Sequence, residues 1–181
     1  MGRWGAALLY VGFIYMMIPY TRPVTNVLLR YFRPNYGVFI NALLMTCLIE
    51  VLIISLPILK DKSWEAWAWT AYLVLGTLWL IYIAVIPDDR LHYIYYGLLG
   101  VLFFRAVELD LSLEGACVAA IVLTSVAGFF DEFIQKFTPG RVYDINDVRD
   151  NAMGAVLGCL FYYFVVHDGA KVPADVKREP T

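Results

Sequence analysis

The chain has 181 residues, 61% of them hydrophobic and 16% aromatic, with a formal net charge of -2. That much apolar surface exceeds what one water-soluble core of this size can hide, so an integral membrane protein is expected, with membrane lipids as its partners. The slight negative charge and the lack of a long basic run exclude a nucleic-acid partner.

Apolar length and punctuation predict an all-α, polytopic transmembrane helical bundle of about six spans, each needing about 20 helical residues. The first runs from Gly5 to Tyr20 and is expected to stop at "PYTRP", where two prolines interrupt it. Bulky Ile18, Pro19 and Tyr20 stand where a signal-peptide cleavage site would need small residues, so a retained anchor is expected. The piece after it, "VTNVLLRYFRPNY", interleaves Arg30 and Arg33 with apolar residues and suits an interfacial helix. Residues 1–35 thus form an N-terminal anchor helix and basic interfacial segment, 36–167 the bundle, and 168–181 a polar tail.

The second span covers Tyr36 to Leu59, and the third, Glu65 to Ile86, opens in a Lys- and Trp-rich belt, "KDKSWEAWAW". Span four runs from Leu91 to Val107, span five from Leu113 to Phe137, and span six from Val148 to Val166. Small residues crowd the last two, Gly115, Ala116, Ala119, Ala120 and Gly128 on one and Ala152, Gly154, Ala155 and Gly158 on the other. Lipid supplies no hydrophobic drive between helices, so small residues permit close contact, and these two spans are expected to pair. Cys47, Cys117 and Cys159 lack metal or disulfide spacing and read as small buried hydrophobes.

The stretch "DEFIQKFTPGRVYDINDVRDN", residues 131–151, is polar between two apolar spans. Asp131 and Glu132 fall in the last turns of a helix, where the negative end of the macrodipole disfavours anions, so helix stability does not account for them. Gln135 lies within one turn of both acids. Pro139 and Gly140 turn the chain and deliver Arg141 close to that helix end. Asp144 suits an N-cap, which puts Asp147 in the first turn and Asn151 on the same stripe. In "PDDRLHYIYYGLLG", Asp88, Asp89, Arg90 and His92 open span four at the same membrane face, so the two clusters can meet. His167 falls at the opposite face, which argues against haem held by two histidines, and no cofactor or metal ion is expected. Glu50, near the middle of span two, is expected to be neutral and hydrogen-bonded, paired with a cation such as Arg105, or facing a wet cavity.

These residues resemble the VanZ-like family, small membrane proteins named after one linked to teicoplanin resistance. The pattern, an acid-Arg-x-His opening followed by D-E-x-x-Q-x-x-x-P-G-R-x-x-D-x-x-D-x-x-x-N-x-x-G, falls on Asp89, Arg90, His92, Tyr96, Gly97, Arg105, Asp131, Glu132, Gln135, Pro139, Gly140, Arg141, Asp144, Asp147, Asn151 and Gly154. It covers about residues 87–164 and leaves the N-terminal third unmatched. Two positions depart from it: Tyr95 stands where an acid is common, and Ile134 where a His is common. The resemblance implies a helical polytopic fold in the bacterial plasma membrane, with the motif loops outside and both termini cytoplasmic. Lys and Arg divide evenly between the faces and do not set the orientation themselves.

Three functions are open at this point. One is an envelope-modulating protein in which Arg141 and Arg90, oriented by Asp131 and Asp147, hold an anionic lipid or amphiphile head group. A second is an accessory subunit of a larger membrane complex. The third is an intramembrane enzyme on a lipid-linked substrate, with Glu132 or Asp131 as base and His92 as acid. No nucleophile motif, metal triad or phosphate loop supports catalysis.

Overall fold

The computed structural model describes residues 2–60, 62–84 and 86–167, and the tail 168–181 lies outside the described residues. The elements are α1 (Arg3–Phe32), α2 (Tyr36–Leu59), α3 (Trp64–Ile83), α4 (Arg90–Val107), α5 (Leu113–Gln135) and α6 (Ile145–Phe161), the last running into one π turn (Tyr162–Val166). No strand occurs among the described residues. Four helices, α1, α2, α3 and α5, are long and apolar enough to cross a membrane. Helix α6, at 17 residues, is shorter than a full span, and Arg90, His92 and Arg105 make α4 less apolar, so the fold is an all-helical membrane bundle with four helices of spanning character.

Helix α1 continues through Pro19 and Pro23, where the sequence predicts a break and a separate interfacial segment. A proline removes one backbone hydrogen bond, and the groups on either side of it are satisfied when the helix resumes. Thr21 helps by donating its hydroxyl to the Ile18 carbonyl (3.0 Å). Helices α5 and α6 start as their sequences dictate. Ser112 accepts from the Gly115 N–H (3.2 Å), and Asp144 accepts from the Asn146 N–H (2.8 Å).

The tightest packing is α4 on α6, followed by α5 on α6 and α4 on α5. Small residues make this three-helix centre possible, and the closest seam joins α6 to α4 more than to α5. A side chain on Gly158 would overlap the Gly97 backbone, and one on Gly128 would come within 2.6 Å of the Asn151 Cβ. Tyr96, Leu99, Phe103 and Phe104 of α4 fill the core beside this seam with Ala116, Ala120, Cys117 and Cys159. The two cysteines are buried and all three are free thiols.

Helices α2 and α3 flank the centre and touch it mainly at their ends. Tyr36, Ile40 and Leu44 pack with Leu91 and Ile94 at one end, while Leu59, Ala66 and Leu73 pack on Val165 at the other. The middle of α2 is therefore left outward-facing. Glu50 is exposed there, with neither the hydrogen bond nor the Arg105 ion pair expected of it among the described residues.

Candidate polar site at the motif end of the bundle

The sequence predicts that α4, α5 and α6 bring their polar residues to one end, and the three helices do so. The α5 carboxylates come first. Asp131, Glu132 and Gln135 occupy the last two turns and are all buried, with Glu132 at 0% exposure. Tyr96 of α4 donates its hydroxyl to Asp131 Oδ2 (2.7 Å). Gln135 Nε2 donates to Glu132 Oε1 (2.7 Å) and, at a longer reach, to Asp131 Oδ1 (3.3 Å). The Asp144 N–H adds a donor to Glu132 Oε2 (3.3 Å). Two carboxylates placed against the helix dipole are thus held by donors from three elements.

The Thr138–Arg141 turn returns the chain, with Gly140 at φ +76°, a left-handed conformation open to glycine at little cost. Arg141 then reaches back over the end of α5. Its Nε donates to Gln135 Oε1 (2.8 Å), and Nη2 donates to the same oxygen. The guanidinium is positioned by the amide, not by Asp131 or Asp147. Gln135 is the pivot, since its nitrogen serves the acids and its oxygen serves the cation.

On α6, Asn151 is fully buried and bridges two helices. Its amide nitrogen donates to the Gly128 carbonyl of α5 (3.2 Å), and its Oδ1 lies 2.6 Å from His92 Nδ1 of α4. With Asn151 Oδ1 as acceptor, His92 carries its proton on Nδ1 and turns Nε2 toward Asp147, 4.0 Å from the carboxylate. His92 also stacks on Tyr96, with ring centroids 6.3 Å apart.

Arg90 is the predicted residue that turns away. It donates to Asn41 Oδ1 of α2 (2.5 Å) and to the Ala84 carbonyl (2.7 Å), tying the α3–α4 connection to α2. Asp88 accepts a hydrogen bond from the Tyr36 hydroxyl on the same side. Asp89, by contrast, faces α6. One oxygen each from Asp89, Asp147 and Asp150 lie within 4.8 Å of one another, and oxygen donors of this kind suit a hard divalent cation. The Asp89 carboxyl is pushed up to about 6 by desolvation and then by the Asp147 charge, which outweigh the opposing effect of His92.

Sequence reasoning missed Asp150, which is 1% exposed and paired with the exposed Arg149 at 2.9 Å. Its spacing of three from Asp147 was visible, but the approach of Asp89 from another helix was not. Tyr96 was part of the motif pattern without a role, and its bond to Asp131 now supplies one.

A polytopic helical membrane protein, with a buried carboxylate–amide–arginine network at one end of its central helices, is the class this fold and site define. The chain belongs to the VanZ/LLP1 family, whose model matches residues 5–166. The match includes the N-terminal third, where the sequence motifs were silent. Neither the curated proteins nor the solved structures compared with it give a match.

Proposed function

We propose that the motif end of the bundle binds the head group of an amphiphile at the membrane surface, in an envelope-modulating role of the kind the VanZ name implies. The observation that carries this reading is the Gln135 pivot. It holds the Arg141 guanidinium at the rim while Nη1 donates to no described residue. A fixed, partly hydrated guanidinium is suited to a phosphate or carboxylate. Around it, the carboxylates of Asp89, Asp131, Glu132, Asp144, Asp147 and Asp150 outnumber the cations Arg141 and Arg149. The preferred head group therefore pairs an anionic group for Arg141 with hydrogen-bond donors or a positive group for the acids.

In this reading α4 and α6 also cross the membrane, giving six spans with the motif loops outside and both termini cytoplasmic in a bacterial plasma membrane. Arg141→Gln should lower the amount of anionic lipid that co-purifies with the protein. Lipid retention equal to that of the unaltered chain refutes the guanidinium contact.

One observation favours a second reading, an intramembrane enzyme acting on a lipid-linked substrate. His92 is oriented by Asn151 and aims Nε2 toward Asp147, the arrangement of a positioned acid–base group. Turnover of a polyprenyl or phospholipid substrate by purified protein, lost in His92→Gln, would support it. The accessory-subunit reading has no such observation behind it.

A further inference from the structure

At the opposite end of the bundle, α3 begins with a cluster that takes no part in the motif site. Trp64, Ala68 and Tyr72 fall four residues apart along one stripe of the helix, and Glu65 and Trp69 lie on the adjoining stripe. These five residues of one helix line an open surface groove of about 300 Å³. Ala68 forms its floor, because a small residue between larger ones leaves a gap. The wall at Trp69 is rigid: its ring stacks flat on Phe164, with centroids 3.9 Å apart and planes at 6°, and meets Tyr72 edge-on at 5.6 Å and 87°. Glu65 contributes the one charge in the lining and has no hydrogen bond or ion pair among the described residues.

Aromatic rings, one of them fixed by stacking, with one carboxylate beside them are complementary to a cation, above all to one whose charge is spread over methyl groups. Ring faces attract such a charge, and the attraction strengthens as water is excluded. An acid in the first helical turn gains from the macrodipole, which accounts for Glu65 but not for the groove around it. The groove opens where a spanning helix leaves the membrane, so the cation is presented there by lipid. Lys60, exposed at the end of α2, lies four residues before Trp64 in the connection between the two helices and is the cation available for a phosphate.

We propose that this groove is a binding site for a zwitterionic phospholipid, its ammonium seated among Trp64, Trp69 and Tyr72 against Glu65 and its phosphate directed toward Lys60. The assignment is independent of the head-group site at the motif end, since none of its residues belongs to that network.

The test uses the full chain reconstituted in phosphatidylglycerol bilayers, with tryptophan quenching by phosphatidylcholine carrying brominated acyl chains. Quenching should exceed that from brominated phosphatidylglycerol at equal mole fraction. A lipid with a neutral 3,3-dimethylbutyl head, the carbon isostere of choline, should bind about tenfold more weakly. Glu65→Gln should weaken choline-lipid binding several-fold, and Ala68→Leu, which fills the floor of the groove at an exposed position, should remove the excess quenching. Equal binding of the neutral isostere, or unchanged binding in Ala68→Leu, overturns the proposal. So does protection of these tryptophans that depends only on protein density in the bilayer, which would assign the groove to a second copy of the chain.

Discussion

Replacing Gln135 by methionine removes the amide while keeping the side-chain length, and the structure says what is lost. Glu132 Oε1 loses its 2.7 Å donor at a fully buried position and keeps only the Asp144 N–H on its other oxygen. A hydrogen bond to a charged group contributes about 1.5–3 kcal/mol, and an unsatisfied buried acceptor is costlier than a missing exposed one. Arg141 loses its acceptor at a half-buried rim, where water replaces it, so that loss is about 0.5–1 kcal/mol. Burying a thioether in place of an amide returns about 1 kcal/mol. The net destabilisation is about 1–3 kcal/mol, equivalent to a drop of about 2–12 °C in Tm for a chain of this size. Near-ultraviolet circular dichroism during thermal unfolding in mild detergent measures it. A Tm within about 2 °C of the unaltered chain would show that Gln135 does not connect the acids to Arg141.

Asp89→Asn should raise Tm near neutral pH. The folded-state pKa of Asp89 is above its ordinary value, so the folded protein binds the proton more tightly than the unfolded chain does. Its contribution is complete below about 4 and is lost as pH rises through about 6. Discounted for solvent screening at this partly exposed group, the gain from Asn is about 1 kcal/mol, and it should shrink as pH is lowered toward 4. Arg3→Gln tests the far end of the bundle, where Arg3 meets Glu108 Oε1 at 2.5 Å and Tyr162 donates to the same oxygen (3.1 Å). Glu108 Oε2 is already buried without a hydrogen bond, so losing Arg3 should lower Tm by about 2–8 °C, less at high salt.

The helical class and the assembly of the motif residues were legible because each rests on local rules. Apolar runs define helices, Asp144 caps α6 as its residue type predicts, and an even topology brings the α3–α4 and α5–α6 connections to one end. Three features were not legible, each for a physical reason. The run through Pro19 and Pro23 shows each proline giving up a single hydrogen bond inside a continuing helix, which the breaking tendency of proline does not announce. The diversion of Arg90 to Asn41 depends on how α2 leans against α4, a tertiary contact between residues 49 apart. The exposure of Glu50 follows from α2 docking by its two ends, a matter of packing that its sequence does not announce.

The glycine seam and the polar site are one mechanical unit. Asn151 sits one turn before Gly154 on α6, so the separation of α4 and α6 at Gly154 sets the His92–Asn151 distance. A side chain at Gly154 would lie 3.0 Å from the His92 carbonyl and 3.0 Å from Tyr93 Cα, both backbone atoms that cannot rotate aside. Gly154→Ala must therefore push the helices apart by a few tenths of an ångström, at about 1–3 kcal/mol. Asn151 is then drawn from one partner or the other, and the bond to Gly128, already 3.2 Å, has little length to spare. The expected result is a normal far-ultraviolet helix signal with altered His92 ring nitrogen resonances and reduced lipid retention. Gly76→Ala is the matched control, because its added carbon meets nothing within 4 Å. If Gly154→Ala behaves like Gly76→Ala in both His92 resonances and retained lipid, close contact between α4 and α6 does not set the geometry of the site, and the polar residues are held by their own hydrogen bonds alone.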